Sequence, residues 1–304
     1  MIYTIGETVI DLIFKKMQPQ AAKVGGSALN TSVSLGRLGN EVTFISEIGS
    51  DELGEWCKSF LRENSVKTSY LIEYEDKKTS LALAFLNENN DAKYQFYKEF
   101  TTPMPEISVS FHSSDIVLFS SSFAINSRVR KSVSNILHNA SSQHALLMYD
   151  PNMRKPLAKD SEAYSYVCEN CCYADIVHIS DEDAQAIFGT SDLNVVFSEL
   201  RKLNVKVLVF TQNKNDVIVK TEKKTYSYAV PQITPVSTIG AGDTFNAGLL
   251  HCLSKKHITK NDLNSISSDF FDEAIPFAIL CAGNVCQSIE NYVDLQFAGN
   301  FIRK

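Results

Sequence analysis

The stretch Ser237-Thr-Ile-Gly-Ala-Gly-Asp-Thr-Phe-Asn-Ala-Gly248 decides how the rest of the chain is read. Gly240, Ala241 and Gly242 leave backbone N–H groups unobstructed where a helical pattern begins, near 242–254. Such a helix start holds anions, because its first amides lack carbonyl partners and the helix dipole is positive there. Asp243 follows directly, and an aspartate in that place stays ionised. Donors for a phosphoryl group beside an ionised base are what phosphoryl transfer to an alcohol requires. The base takes the hydroxyl proton as the alcohol attacks. An ordinary helix N-terminus with an acid in its first turn is the structural alternative. Other nucleotide motifs fail on spacing. A dinucleotide fingerprint would need glycine at 245, where Phe245 stands, and no Gly-x4-Gly-Lys-Ser/Thr, His-Arg-Asp or Asp-Phe-Gly occurs.

A second glycine-rich segment, Gly25-Gly-Ser-Ala-Leu-Asn-Thr-Ser-Val-Ser-Leu-Gly-Arg-Leu-Gly39, opens another helix. Gly25 and Gly26 permit close backbone approach of a ligand. Ser27 is placed to cap the helix, and Asn30 sits one turn in with an amide that donates and accepts. That combination suits a polyhydroxylated ligand; a tight turn packed on a sheet is the alternative.

Around these segments, β-rich apolar runs alternate with helical ones. Ile2–Ile5, Val42–Ile48, Ile116–Phe119, Ala145–Tyr149, Ile176–Ile179 and Val205–Phe210 read as strands. Helical patterns fall near 28–38, 52–63, 127–139, 161–172, 182–188, 193–203, 242–254 and 271–287. Many of the strands are apolar on both faces, the mark of a parallel sheet covered by helices, so the expectation is an α/β sandwich. One region interrupts the alternation. Residues 79–86 and 92–97 read as a β-hairpin around a turn rich in Asn, Glu and Asp, and Val9–Phe14 can pair with it. A small β-lid inserted in one α/β domain spanning 1–304 follows, built from about 9–20 and 77–100.

Composition narrows the class further. The 304 residues are 44% hydrophobic and 21% charged, which is globular and not disordered. Twenty-nine Lys+Arg against 35 Asp+Glu give a net charge of −6 with scattered basic pairs, so no nucleic-acid surface is expected. No apolar run reaches the roughly 18 residues of a membrane span, and Glu7 and Asp11 interrupt the first residues, so a cytoplasmic protein is expected. The seven cysteines include Cys168-Glu-Asn-Cys171-Cys172, which lacks a second pair at zinc-finger spacing and reads as buried helix cysteines.

Together the two glycine segments resemble the N- and C-terminal signatures of the ribokinase-like (PfkB-type) carbohydrate kinases. Gly6–Asp11, Gly49-Ser-Asp-Glu-Leu-Gly54 and Asp150-Pro-Asn-Met-Arg154 are intermediate matches. The resemblance covers essentially the whole chain. It implies a three-layer α/β/α sandwich with a mostly parallel central sheet and a small β-sheet lid. It also implies transfer of the ATP γ-phosphate to a sugar hydroxyl, with Mg2+. On that pattern Asp243 is the general base and Gly240, Ala241 and Gly242 the anion hole. Asp11, Gly25, Gly26 and Asn30 form the sugar-binding set, and a carboxylate such as Asp11 accepts two sugar hydroxyls. Arg154 is placed to meet a substrate anion or transferring phosphate bidentately. Ser180-Asp-Glu-Asp183 resembles the stretch that organises magnesium through water, with Asp183 in place of the usual glutamate.

Departures fall in the ATP half. The family's Thr-x-Gly-x-x-Gly reads Thr211-Gln-Asn-Lys-Asn-Asp216 here. Asn213 and Asp216 are among the non-glycine residues that best tolerate left-handed geometry, so the turn is expected to survive. Ser237 stands where relatives carry an acid that helps hold a monovalent cation, so the resemblance does not imply potassium activation. Asn284, in Cys281-Ala-Gly-Asn284, would lie near the adenine. The spacing Tyr94-Gln-Phe-Tyr-Lys-Glu99 resembles the fructokinase Phe-x-Phe-x-Arg with Lys98 for arginine, and Gly6–Asp11 resembles the fructokinase opening. Fructokinase is therefore the expected activity, with ribokinase or 2-keto-3-deoxygluconate kinase as alternatives. A non-catalytic sugar- or nucleotide-binding regulator is the alternative of another class. A homodimer through the lids is expected by resemblance.

Overall fold

The computed structural model describes residues 1–88, 92–153, 156–213 and 215–302. The first elements are β1 (Ile2–Ile5), β2 (Val9–Lys15), β3 (Gln18–Gly25), α1 (Ser27–Arg37), β4 (Val42–Gly49), α2 (Glu52–Glu63) and β5 (Val66–Tyr74). Next come β6 (Leu81–Leu86), β7 (Ala92–Tyr97), β8 (Ile116–Ser120), α3 (Ser127–Ser142), β9 (Leu146–Asp150), α4 (Glu162–Tyr173) and β10 (Ile176–Ser180). The last are α5 (Asp181–Phe188), α6 (Leu193–Lys202), β11 (Val207–Thr211), β12 (Val217–Thr221), β13 (Thr225–Tyr228), α7 (Ala241–Lys255), α8 (Ser268–Cys286) and α9 (Leu295–Ile302).

Nine strands form one sheet in the order β13-β12-β11-β10-β9-β8-β1-β4-β5, and four form another, β3-β2-β6-β7. Within the large sheet β1–β4, β4–β5, β8–β9, β9–β10 and β10–β11 pair in parallel; β11–β12 and β12–β13 are antiparallel. The reason lies in the side chains. β1, β4, β8 and β9 are buried at every residue, as strands between two helical layers must be. β5 and β13, at the two ends of the strand order, alternate between exposed and more buried residues. The expected α/β architecture with its separate small sheet is what the chain adopts.

The chain divides into two compact units. The first comprises Met1–Thr101, Ile233–His251 and Phe277–Lys304, and the second Thr102–Gln232 and Cys252–Pro276. The small sheet belongs to the first unit. Its β6–β7 pair is the antiparallel hairpin read from the sequence, and β2 joins it through β6 in parallel, Ile10 opposite Leu81. The sheet is larger than the segments 9–20 and 77–100 foretold, because β3 runs on to Gly25 along the other side of β2. Gln18-Pro-Gln-Ala-Ala-Lys-Val-Gly25 carries little strand signature; it forms on the open side of β2, as an edge strand that accommodates Pro19 near its start.

The starts of α2 and α5 are set by local side-chain acceptors. Asp51 caps α2 by accepting from the Gly54 amide at 3.0 Å, and its carboxylate also takes the Thr79 hydroxyl at 2.6 Å. Ser180 and Asp183 form a capping box on α5, which ends at Gly189 in left-handed geometry. Among the described residues no group of three or more His, Cys, Asp or Glu is placed to hold a metal ion, and no helix is long and apolar enough to cross a membrane. In α4, Cys171 is buried, Cys168 half-buried and Cys172 exposed, so only the first follows the expectation of burial.

Candidate active site

Asp243 lies in the first turn of α7 and is 6% exposed. Both of its carboxylate oxygens receive donors from α1: Ser27 Oγ donates to Oδ1 at 2.6 Å and Asn30 Nδ2 to Oδ2 at 2.8 Å. Thr31 Oγ1 reaches the Asp243 carbonyl at 3.0 Å. The two glycine-flanked helix starts are thus brought together, although Asn30 and Asp243 are 213 positions apart. Charge-assisted bonds of this length fix the carboxylate's orientation. They also correct the reading of Ser27 as a helix cap. Gly26 caps α1 at φ +122°, no side chain bonds the cap, and the Ser27 hydroxyl is turned to Asp243 instead.

The turn before Asp243 is shaped by glycine for two different reasons. Gly240 has φ +81°, and a Cβ there would come within 2.4 Å of the Asn291 carbonyl oxygen, so the fold requires glycine. Its own carbonyl accepts the Thr244 amide at 2.9 Å, which starts the helix. Gly242 is exposed, and a Cβ there would meet nothing within 4 Å. Packing does not explain it. The Ala241 amide rests on the Thr238 carbonyl at 3.3 Å, a long bond that a phosphate oxygen can replace. Ser237 closes this turn locally, its Oγ accepting the Ile239 amide at 3.2 Å.

Asp11 lies within β2 and is 6% exposed, which excludes a solvated strand-end acid. A Cβ on Gly25 would fall 2.1 Å from Asp11 Oδ2, and one on Gly26 would fall 2.0 Å from the Glu7 carbonyl oxygen. The paired glycines therefore make room for the acid and for a neighbouring backbone. Asn291 Nδ2 donates to Asp11 Oδ2 at 3.0 Å, a residue that sequence reasoning missed. Asn30 and Asn291 are both buried, and the Oδ1 of each has no hydrogen-bond partner among the described residues. Lys98 pairs with Glu7 at 2.5 Å and lies over the Phe96 ring. Asn284, expected near a purine, accepts the Asp294 amide on its Oδ1 at 2.9 Å, on the approach to α9.

The remaining sequence-predicted residues belong to the second unit. Asp183 is 9% exposed, and its oxygens accept from the Met153 amide at 2.6 Å, the Ser180 hydroxyl at 2.6 Å and the Ser180 amide at 3.2 Å. Burial, and then the nearby Asp150, push its carboxyl above the ordinary range, against the pull of these bonds. Its carboxylate thus already serves the start of α5. Asp150 sits 3.6 Å from His178 Nδ1, and His178 Nε2 meets Thr211 Oγ1 at 3.3 Å. Asn213 adopts φ +52°, as expected of asparagine in the altered turn. Asp216 does not take left-handed geometry; its Oδ2 accepts the Ser227 hydroxyl at 2.6 Å. Arg154 lies outside the described residues.

A mostly parallel α/β sheet, a small separate sheet bearing a buried acid, and an oriented carboxylate at a glycine-flanked helix start define a phosphotransferase acting on an alcohol. Residues 1–295 match the pfkB family of carbohydrate kinases, and the chain belongs to that family. It is an ATP-dependent sugar kinase. A fructokinase of Vibrio alginolyticus is 25% identical over 264 residues, 86% of either chain. The probable fructokinase-7 of Arabidopsis thaliana is 28% identical over 266 residues, 84% of this chain and 76% of that protein. Fructokinase from Vibrio cholerae O395, crystallised with fructose, ADP and calcium, has the same fold: TM-score 0.84 over 99% of this chain and 98% of that one, at 21% identity.

Proposed function

We propose that the chain phosphorylates fructose, with Asp243 as general base and the backbone at Gly240, Ala241 and Gly242 as the anion hole. The observation that carries this reading is the buried Asp243 carboxylate, held on both oxygens by Ser27 and Asn30 at the head of α7. A carboxylate oxygen accepts more than one donor, so these bonds orient the base without using up its capacity. It would take the proton of the attacking hydroxyl, while the opening amides of α7 stabilise charge on the transferring group. Asp11 would accept sugar hydroxyls, with Gly25 and Gly26, which make room for that carboxylate and for the Glu7 backbone, proposed to lie beside the ring. Burial of these groups limits water, which would otherwise accept the phosphoryl group.

Magnesium fits the acids of the second unit. Asp183 and Asp150 are both buried, and burial together with the nearby Asp150 raises the cost of charge on Asp183, the setting in which a hydrated cation is welcome. Asp183, reaching through water, would hold it with the nucleotide; the ion supplies charge neutralisation on the phosphates. Thr211, Asn213 and Asp216 are proposed to line the nucleotide turn, with Ser180 and Asn284 as further contacts. Arg154 is proposed for a substrate anion. The pairing of Lys98 with Glu7 disfavours a keto-acid substrate, which would want that ammonium for itself. The exposed Phe96 and Tyr97 on β7 support a dimer through the small sheets.

The test is ADP release from MgATP against fructose, ribose, other ketoses, 2-keto-3-deoxygluconate and nucleosides, with wild type and Asp243→Asn. Fructose-dependent turnover is expected, falling by roughly 10²–10⁴ in the variant while fructose still protects against heat. A panel with no turnover, but thermal stabilisation of both proteins, would replace the kinase by a sugar-binding regulator.

A further inference from the structure

We propose that Asn291 is a positioning residue for the sugar, acting by holding the Asp11 carboxylate in the orientation that receives the sugar hydroxyls. The inference rests on the sugar-kinase reading of Asp11 given above. Three successive residues strap the segment before α9 onto the β2–β3 hairpin. Glu290 pairs with Lys23, Asn291 Nδ2 donates to Asp11 Oδ2 at 3.0 Å, and the Tyr292 hydroxyl donates to the Val24 carbonyl at 3.1 Å. Lys23 stands directly opposite Asp11 in the strand register, so the strap grips the hairpin at the acid and at two successive residues of the facing strand β3.

The chemistry of Asn291 does not suit a mere filler. Its residue is 0% exposed, and its Oδ1 is buried with no partner among the described residues. A buried amide with an unpaired oxygen costs stability that an apolar side chain of the same size would not. What the asparagine contributes is its nitrogen, and that nitrogen is on Asp11. Its backbone carbonyl, by contrast, packs against Gly240, a contact that a side-chain substitution leaves in place. Replacing the side chain therefore separates sugar binding from the anion-hole turn.

The experiment is steady-state kinetics with fructose and MgATP on Asn291→Leu, which keeps the size and removes the donor. Asn291→Ser is the second variant should the first fail to fold. Loss of a hydrogen bond to a charged group predicts a fructose KM raised by roughly ten- to a hundredfold. The kcat and the KM for ATP should stay within about threefold, since no contact to the anion-hole turn is lost. Asp11→Asn should raise the fructose KM as well, and the double variant should be no worse than the poorer single one, because both remove one interaction. An unchanged fructose KM in the Asn291 variants beside a raised one in Asp11→Asn overturns the positioning role alone. Equal rises in both KM values, or a fall in kcat alone, also overturn it, since they mark a general structural defect. If Asp11→Asn itself leaves the fructose KM untouched, the sugar-site reading is what has failed, and the inference falls with it.

Discussion

Gly242→Ala separates the two reasons for glycine in the turn before Asp243. Gly242 lies in the first turn of α7, is exposed, and has open space where a Cβ would project. Its φ is not positive, so alanine fits without strain. Glycine within a helix costs about 0.5–1 kcal/mol relative to alanine, so the substitution is expected to stabilise the fold by up to that amount. At about 2–4 °C per kcal/mol for chains of this order of length, Tm should rise by about 1–4 °C. Turnover should move the other way. If the transferring phosphate lies against the amides of this turn, a methyl group there holds it off. Loss of an oxyanion donor costs roughly 10²–10³ in kcat. The assays are thermal denaturation without substrates and coupled ADP release with saturating fructose and MgATP. A more stable protein with turnover within about threefold of wild type would refute the anion-hole assignment at Gly242, because the predicted obstruction would then obstruct nothing. Gly240→Ala supplies the contrast, destabilising the chain through its clash with the Asn291 carbonyl and its left-handed φ.

Two further outcomes are expected. Asp51→Ala removes the α2 cap and the bonds to Thr79, and should cost about 1–2 kcal/mol in urea unfolding at neutral pH. Burial pushes the Asp51 carboxyl up, but the bonds from Thr79 and Gly54 outweigh it and leave the folded value below the ordinary one. Its stabilisation is therefore complete above the ordinary carboxylate range and fades as pH falls through the lowered value, so the gap between wild type and variant should close in acid; a gap constant with pH would contradict this. Phe96→Glu places charge on the exposed face of β7 and should shift micromolar protein from dimer to monomer in light scattering. A wild-type monomer under the same conditions would remove the lid-mediated dimer.

The central strands were legible because they are apolar on both faces, and the helices because their periodicity is strong; β1, β4, α1 and α2 fall within a residue of where the sequence places them. β5 and β13 escaped because strands at the ends of a sheet mix exposed and buried residues and give a weaker apolar signal, and β12, next to the end, is fully buried at only two of its residues. β3 escaped because its partner, not its composition, makes it a strand. In the site, Asp243 and Asn30 were legible as motif residues at helix starts, but their hydrogen bond was not, since nothing local links positions so far apart. Ser27 was misjudged because Ser after paired glycines reads as a cap, while Gly26 takes up the turn and releases the hydroxyl. Asn291 carries no periodic or motif signal at all; only the fold sets it beside Asp11.

The parallel pairing of β2 with β6 bears on how Asp11 acquires its surroundings during folding. Parallel neighbours cannot be closed by a tight turn, and between these two strands the chain passes through β3, α1, β4, α2 and β5. The β2–β3 hairpin that emerges first is only marginally stable alone. It must wait for a βαβ unit to form before β6 can dock, a late, long-range closure. Asp11 sits on β2, and its partner Asn291 follows it by 280 positions. On a ribosome, Asp11 is thus synthesised 280 positions before the asparagine that completes its hydrogen bond. A half-made chain that lacks Asn291 holds Asp11 without this hydrogen bond.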